Sequence, residues 1–373
     1  MSKADSRLIS PKYSKTQVNN AGEHVRSKKL TEEDEKIIEN WRSSHNHVLN
    51  TWLVILIHRI AREKIPAITG QRLKRKNTIY DKLQRPDTHA MSLARMYDIA
   101  GCRVVFDNME DLEDFRESML NNSRFLHKRI KKYHKNYIKN SKTSGYRAIH
   151  DIYSYKSDPR RSSAWDGLFI EIQYRTKYQH AWSTAVEVAD IVRKSRTKFS
   201  DSAYADQNRF FQYASEIIAR VYENSTSCCP ELSDEELVEE FKALERQLNL
   251  LKVFKSIKVI QPEIEDNDKR ALIIRLHIDN DEPVVTTIPF ISTSEANIKL
   301  YELEKEYPED DIVLVKADKI SSIRNIFKNY FTDTIDFIKY IEHGINALKK
   351  GKRLTDIKTN RQRKRRQLLL FET

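Results

Sequence analysis

One short run constrains the fold of this chain more than any other, Ile99-Ala-Gly-Cys-Arg-Val-Val-Phe106. It is apolar and rich in β-branched residues, so it reads as a buried strand rather than as part of a helix. Helical pattern surrounds it. Thr31 is a good N-cap with Asp34 three residues on, and Ile37, Ile38, Trp41, Val48 and Leu49 follow at three- and four-residue steps. That pattern runs to about Lys64 and closes at Pro66. Seven glycines in 373 residues leave little room for wide loops and favour a helix-dominated α+β chain.

The coarse organisation follows from the same pattern. Residues 1–29 are polar and unpatterned and read as a mobile N-terminus. Thr69-Gly70 is expected to open a helix carrying Lys74, Thr78 and Lys82. After the buried strand, Glu110 to Leu120 reads as helical, Ile149–Tyr155 and Leu168–Tyr174 read as strands, and helical pattern runs from Tyr178 to Asn224. Asp166-Gly167 between the two strands is a turn signal. A first folded section at 30–230 is followed by a connecting helix within 231–257, after Ser225–Asp234 as a linker. A smaller α+β section at 258–350 has strands near 271–278, 284–288 and 312–315 and helices at 295–306 and from 320; a basic tail occupies 351–373. Ile273, Leu276, Val285, Ile288, Leu300, Val313, Val315, Phe327, Phe331, Phe337 and Ile341 supply a core for that section.

The net charge of +12 fits a polyanionic partner such as a nucleotide, RNA or an acidic membrane surface, and equally a solvated lysine-rich exterior. Three cysteines cannot build a disulfide framework, so the expected compartment is the cytoplasm. No cysteine or histidine spacing suits zinc. The apolar run from Trp52 to Ile57 is too short to span a bilayer and reads as the buried stripe of a helix, so no membrane association is expected. Neither a Gly-x-x-x-x-Gly-Lys-Ser/Thr loop nor a Gly-x-Gly-x-x-Gly turn occurs, which removes the support for P-loop and dinucleotide folds.

Four other segments carry chemistry. In Arg72-x-Lys74-x-x-x-Thr78-x-x-x-Lys82 the last three residues recur every four positions, which on one helix places two ammonium groups around a hydroxyl and makes a polyphosphate cradle or a solvated basic face. Asp98 stands at the mouth of the apolar strand, a costly position for an acid unless it meets a cation or donor; a strand cap is the alternative. Strict alternation puts Asp98 and Arg103 on opposite faces, so a shared site needs a bulge or bend, with Gly101 as a candidate place. Lys142-Thr-Ser-Gly145-Tyr146-Arg147-x-x-His150 combines a tight turn with a flat ring suited to stacking a base, while His150 reads either as a ligand or as a hydrogen-bonded strand residue. In Glu171-Ile-Gln173-Tyr-Arg175-Thr, Glu171, Gln173 and Arg175 alternate onto one strand face against Ile170, Ile172 and Tyr174, the pattern of a lined cleft or of an exposed sheet.

In order and spacing, these segments over residues 40–190 resemble the RelA/SpoT synthetase domain. The resemblance implies a nucleotidyltransferase-like mixed sheet flanked by helices and an ATP-dependent pyrophosphokinase at 30–230. It places Arg72 and Arg103 on the ATP adenine and Lys74, Thr78 and Lys82 on its phosphates. Asp98 and Glu171 become the catalytic pair and the Mg²⁺ ligands, and Glu171 also takes the proton of the attacking ribose 3′-hydroxyl. Lys142, Tyr146, His150, Gln173 and Arg175 surround the acceptor. The His-Asp-x-x-x-Glu-Asp signature of the family's hydrolase half is absent, since His150-Asp151 is followed by Ile, Tyr and Ser. Thr78 stands where the family has Ser, Ser144 where Asn is common, and Asn136-Tyr137-Ile138 where Asp-Tyr-Ile is common. The last two departures leave the acceptor open.

Length, the missing hydrolase and the appended domain resemble the toxic small synthetases fused to an antitoxin-like domain, the CapRel type. That likeness implies the 3′-terminal adenosine of tRNA as acceptor, a C-terminal domain that restrains the enzyme, and a phage protein that binds this domain as trigger. The alternative acceptors are GTP, GDP or adenine nucleotides, giving an alarmone. Lys128, Arg129, Lys131, Lys132 and Lys135 would contact an RNA backbone, although a solvated loop has the same composition. A catalytically dead sensor fits poorly with an intact Asp98, Tyr146 and Glu171.

Overall fold

The computed structural model describes residues 9–86, 91–121, 126–158, 163–195, 201–255, 258–260, 271–279, 282–308, 310–316 and 320–353. The chain divides into two units, Met1–Lys135 with Ile149–Tyr174, and Asn136–Ala148 with Arg175–Thr373. The fold is α+β, with sheets flanked by helices.

In the first unit the stretch expected to be unpatterned carries helix α1 (Lys15–Arg26). Ser14 and Gln17 cap it reciprocally, and Val18, Ala21 and Val25 are buried. Its apolar positions are small, which is why they leave a weak periodic signal in a polar segment. Helix α2 (Glu32–Glu63) starts at the Thr31–Asp34 capping box and buries Ile37, Ile38, Trp41, Val48, Leu49, Trp52 and Leu56. Within its most apolar run Trp52 and Leu56 are buried while Val54 is exposed, the stripe of a surface helix. Among the described residues no helix is long and apolar enough to cross a membrane.

Strand β1 (Ala67–Leu73) precedes helix α3 (Lys76–Gln84), β2 (Ala100–Phe106) and helix α4 (Met109–Leu120). The short β3 (Lys128–Arg129) and β4 (Lys135–Asn136) lead on to β5 (Ile149–Ser154) and β6 (Phe169–Thr176). The sheet order β1-β2-β6-β5-β3 makes β2 and β6 internal, as their apolar composition requires. The expected helix from Thr69 is therefore corrected: residues 67–73 pair antiparallel with β2 in unbroken register, Ala67↔Phe106 to Leu73↔Ala100. Ile68, Thr69 and Gly70 are poor helix formers, and a full ladder with a central strand outweighs the helical spacing downstream.

The second unit contains α5 (Lys177–Ser195), α6 (Asp201–Tyr222), α7 (Asp234–Leu248), α8 (Leu250–Lys255), a second sheet, α9 (Thr293–Glu306) and α10 (Ile320–Lys349). In that sheet β7 (Lys258–Ile260) runs parallel to β9 (Glu282–Phe290), while β8 (Ala271–Asp279) pairs antiparallel with both β9 and β10 (Asp311–Lys316). Helices on both sides of residue 230 share one core, which joins Trp182, Phe210 and Phe211 to Phe241, Phe254, Phe337 and Ile341. At Gly344 a Cβ would lie 2.6 Å from Cγ2 of Ile217, so only glycine lets α10 approach α6 this closely. The expected linker is tied down, because the buried Glu216 carboxylate accepts from the backbone N–H groups of Ser227 (2.7 Å) and Cys229 (3.0 Å). A smaller core holds Ile273, Leu303 and Ile312 with Ile288 and Leu300 against it. The expected core residues Leu276, Val285, Val313, Val315, Phe327 and Phe331 fall outside the described side chains, and the tail beyond 353 outside the described residues.

Candidate active site

In the first unit the site begins where β1 and β2 end. The Lys74 N–H donates to the Ile99 carbonyl at 2.8 Å, one rung beyond the ladder, and this sets Lys74 against Asp98, just before β2. Helix α3 brings Lys82 to the same carboxylate. Both ammonium groups donate to Asp98 Oδ2, Lys74 at 2.9 Å and Lys82 at 2.8 Å. The single helical face expected for Lys74, Thr78 and Lys82 is thus corrected: Lys74 precedes α3, and only Thr78 and Lys82 lie on it. The ladder passes Gly101 without a bulge, and the bulge or bend expected there is not needed, because Asp98 lies outside the strand and alternation does not bind it. Arg72 pairs with Gly101 and Gly70 with Arg103, so the two arginines sit on adjacent strands two rungs apart, Arg103 at the middle of the ladder and Arg72 near its end.

Burial alone would raise the Asp98 carboxyl, but the charges of Lys74 and Lys82 outweigh it and hold the group at about 2. The same burial pushes the Lys74 ammonium down, although Asp98 pulls it back up. Asp98 Oδ1 is buried without a hydrogen-bond partner. Such an atom asks for a donor or a cation.

The second carboxylate stands on β6. Glu171 Oε1 accepts from Gln173 Nε2 at 2.5 Å, and Oε2 lies 3.1 Å from His150 Nδ1. The β5–β6 register places His150 directly opposite Gln173, so both reach the same side of the sheet as Glu171. Ile170, Ile172 and Tyr174 are fully buried on the other face, as the alternation requires. Burial raises the Glu171 carboxyl and the Asp98 charge adds to that, yet His150 and Gln173 leave it below its usual range. The two carboxylates therefore feel one another. Among the described residues no cluster of three or more metal-ligating side chains occurs. Two carboxylates with one unpartnered oxygen fit Mg²⁺, which takes few protein oxygens and completes its shell with water and substrate phosphates.

The segment from Lys142 to Arg147 belongs to the second unit. Gly145 has φ +86°, and a Cβ there would lie 2.9 Å from the Ser215 Cβ. Ser215 Oγ donates to the Gly145 carbonyl at 2.6 Å and Gln212 Nε2 to the Thr143 carbonyl at 2.8 Å, so α6 holds this turn. The Tyr146 ring has Lys142 Nζ at 5.2 Å and the Arg175 guanidinium at 5.1 Å, and its hydroxyl accepts from Arg175 at 2.7 Å. Arg147 is buried and anchors the turn through Glu223 (2.7 Å) and the Thr226 carbonyl (2.5 Å). Ser215, Gln212 and Glu223 had no signal in the sequence, because they are helix residues far from the loop they support.

His150 and Gln173, expected around the acceptor, both contact Glu171. Arg129, with Arg116 and His134, surrounds the fully buried Asp151, its Nη2 2.6 Å from Oδ1. Burying that carboxylate requires such partners. Lys128, Lys131, Lys132 and Lys135 remain exposed.

Residues 71–197 match the family model of the region found in RelA/SpoT proteins. Among solved structures, the chain is similar to small alarmone synthetase 1 from Bacillus subtilis bound to its product pppGpp, at 23% identity over 48% of this chain and 90% of that one, with a TM-score of 0.40. Small alarmone synthetase 2 from the same organism is 21% identical over 49% and 92%, with a TM-score of 0.39. A GTP pyrophosphokinase family protein from Streptococcus pneumoniae is 20% identical over 57% and 98%, with a TM-score of 0.38. No curated protein matches the chain. The segment holding Lys74, Asp98, Tyr146 and Glu171 is a RelA/SpoT synthetase region, the domain type of a pyrophosphokinase.

Proposed function

We propose that this enzyme transfers the β,γ-diphosphate of ATP to a ribose 3′-hydroxyl, and that its acceptor is the 3′-terminal adenosine of tRNA, which stops translation. The observation that carries the reaction is the convergence of Lys74 and Lys82 on Asp98, with Glu171 held by His150 and Gln173 in the same unit. Phosphoryl transfer needs positioning and charge neutralisation more than covalent chemistry, and these groups supply both. Lys74, Thr78 and Lys82 hold the phosphates, and Arg72 and Arg103 take the adenine. Asp98 and Glu171 would hold Mg²⁺, which would supply further neutralisation of the triphosphate. Glu171 accepts the proton of the 3′-hydroxyl; a bond forms from that oxygen to the β-phosphorus, the bond to the α–β bridging oxygen breaks, and AMP leaves.

Four exposed lysines, Lys128, Lys131, Lys132 and Lys135, support an RNA acceptor, since contacts to a backbone release counterions. A second reading takes a free nucleotide such as GDP, GTP or AMP. The Tyr146 ring flanked by Lys142 and Arg175 favours it, because base stacking and phosphate pairing sit together there. Purified chain incubated with γ-labelled ATP and, separately, deacylated tRNA, GDP and AMP decides between them. Label on tRNA alone, from the chain or from its D333A variant, is the expected result; label on a nucleotide alone selects the second reading, and label on none from either protein sinks the enzyme.

The section at 258–350 acts as a restraint on the synthetase region at 30–230, released by a bound trigger; a phage protein is the candidate, as in a toxin–antitoxin fusion of antiviral defence. The reading is supported by α10, which shares a core with α5 and α6, and by His180 on α5, whose Nε2 lies 2.9 Å from Asp333 Oδ2. Deleting residues from 261 onward would strip Phe337 and Ile341 from that core, so the better test is D333A in the whole chain. Higher toxicity at matched expression supports restraint, and equal or lower toxicity counts against it.

A further inference from the structure

Lys74 and Lys82 both donate to one oxygen of Asp98, and the sister oxygen is buried and unpartnered. The three side chains are only 15%, 24% and 21% exposed, so water screens their charges weakly. Two ammonium groups on one carboxylate leave a net positive charge at the oxygen that a divalent cation would use. Glu171, the other candidate ligand, is engaged at both oxygens by Gln173 and His150. Only Oδ1 of Asp98 is left without a partner, and with two ammonium groups on its sister oxygen it repels a metal ion that arrives alone.

A triphosphate changes the balance. Its oxygens carry more negative charge than one carboxylate and compete for the same two ammonium groups. Once Lys74 and Lys82 turn to phosphate, Asp98 is left with both oxygens open and no adjacent cation. We infer that Lys74 and Lys82 act as a charge latch on Asp98, which keeps the carboxylate closed to a divalent cation until a nucleoside triphosphate draws the lysines away. Metal and nucleotide then bind as a coupled pair, and a metal-first order is shut off. By reciprocity the metal strengthens nucleotide binding by the same factor. This inference rests on the reading of the cluster as the ATP site.

The latch makes an unusual forecast: removing a lysine weakens nucleotide binding but strengthens binding of metal alone. Titration of the full chain with Mn²⁺, followed by electron paramagnetic resonance, reads metal binding directly. α,β-Methylene ATP serves as the uncleavable nucleotide, with a protein-free control for metal held by the analogue alone. In the wild-type chain the analogue is expected to tighten Mn²⁺ binding at least about tenfold, and K82M is expected to tighten metal-alone binding by about tenfold, as loss of one nearby cation implies. D98N should bind little Mn²⁺ in either condition. Equal Mn²⁺ affinity with and without the analogue overturns the latch, as does a folded K82M or K74M chain that binds metal alone no better than wild type. If neither lysine variant folds, judged by circular dichroism, the two wild-type titrations decide alone. Failure of the analogue to bind in calorimetry at saturating metal overturns the pyrophosphokinase reading itself and takes the latch with it.

Discussion

The Lys74–Asp98–Lys82 cluster and the Tyr146 turn reach order by opposite means. In the first, full charges at strand and helix ends neutralise one another, and the geometry is held by the electrostatics of the ligand-binding groups themselves. In the second, neutral hydrogen bonds from Ser215 and Gln212 fix a backbone that only glycine can adopt, and the charged groups Lys142 and Arg175 rest on an aromatic ring. A charge cluster rearranges when a more strongly charged ligand arrives. A hydrogen-bonded turn is preorganised and changes little. The charge cluster is therefore able to exchange partners, and the Tyr146 turn keeps its shape.

That contrast is broken most sharply at the carboxylates. Replacing Glu171 by Gln or Asp98 by Asn should lower kcat by about 10²–10³-fold or more, since each removes a proposed metal-binding carboxylate and, at Glu171, the proton acceptor. Unchanged turnover in E171Q, followed by release of AMP, would sink the roles assigned here. Next in size is the aromatic face. Y146A should raise the acceptor KM by about 10-fold to 100-fold through lost stacking, with the affinity for the ATP analogue within about twofold of wild type. Y146F should keep most activity, and an equal loss in both would move the role from the ring to its hydroxyl.

The charge cluster also has a stability signature. Asp98 is held at about 2, below its usual 3.8, so the stabilisation is complete above about pH 4 and is lost as pH falls toward 2. D98N should therefore lie about 2 kcal/mol below wild type in unfolding free energy at pH 6, with the gap narrowed by about half at pH 3. A gap of constant size in urea titrations at the two pH values would show that packing, not charge, sets it. The smallest expected effect concerns the exposed lysines. With tRNA as acceptor, K131A/K132A should weaken binding uniformly across tRNA sequences and lower the salt slope by about two. No change in slope would leave the lysines as solvated side chains.

Much of this was legible in the chain. The strand at Ala100–Phe106, the β5 and β6 strands, the α9 helix and the start of α10 at Ile320 fall where local pattern placed them, because an alternating or β-branched run leaves few other ways to bury its apolar atoms. The alternation of Glu171 and Gln173 against Ile170, Ile172 and Tyr174 also held, since it follows from strand geometry alone. Helix α1 was missed because its buried side chains are small. The helix expected from Thr69 was misread because four-residue spacing downstream of Lys74 masked a strand that exists only through its partner β2.

The chain by itself determined the residue types of the site and the backbone period that carries each of them. Tertiary structure decided the pairings. Lys74 and Lys82 reach Asp98 from 24 and 16 residues away, Arg129 reaches Asp151 from 22, and Ser215 reaches Gly145 from 70. Period and propensity act over a few residues, whereas a buried charge or carbonyl is satisfied by whichever group the packing brings within about 3 Å. That is why the sequence did not show that Arg129 partners the buried Asp151, or that His150 and Gln173 meet at Glu171.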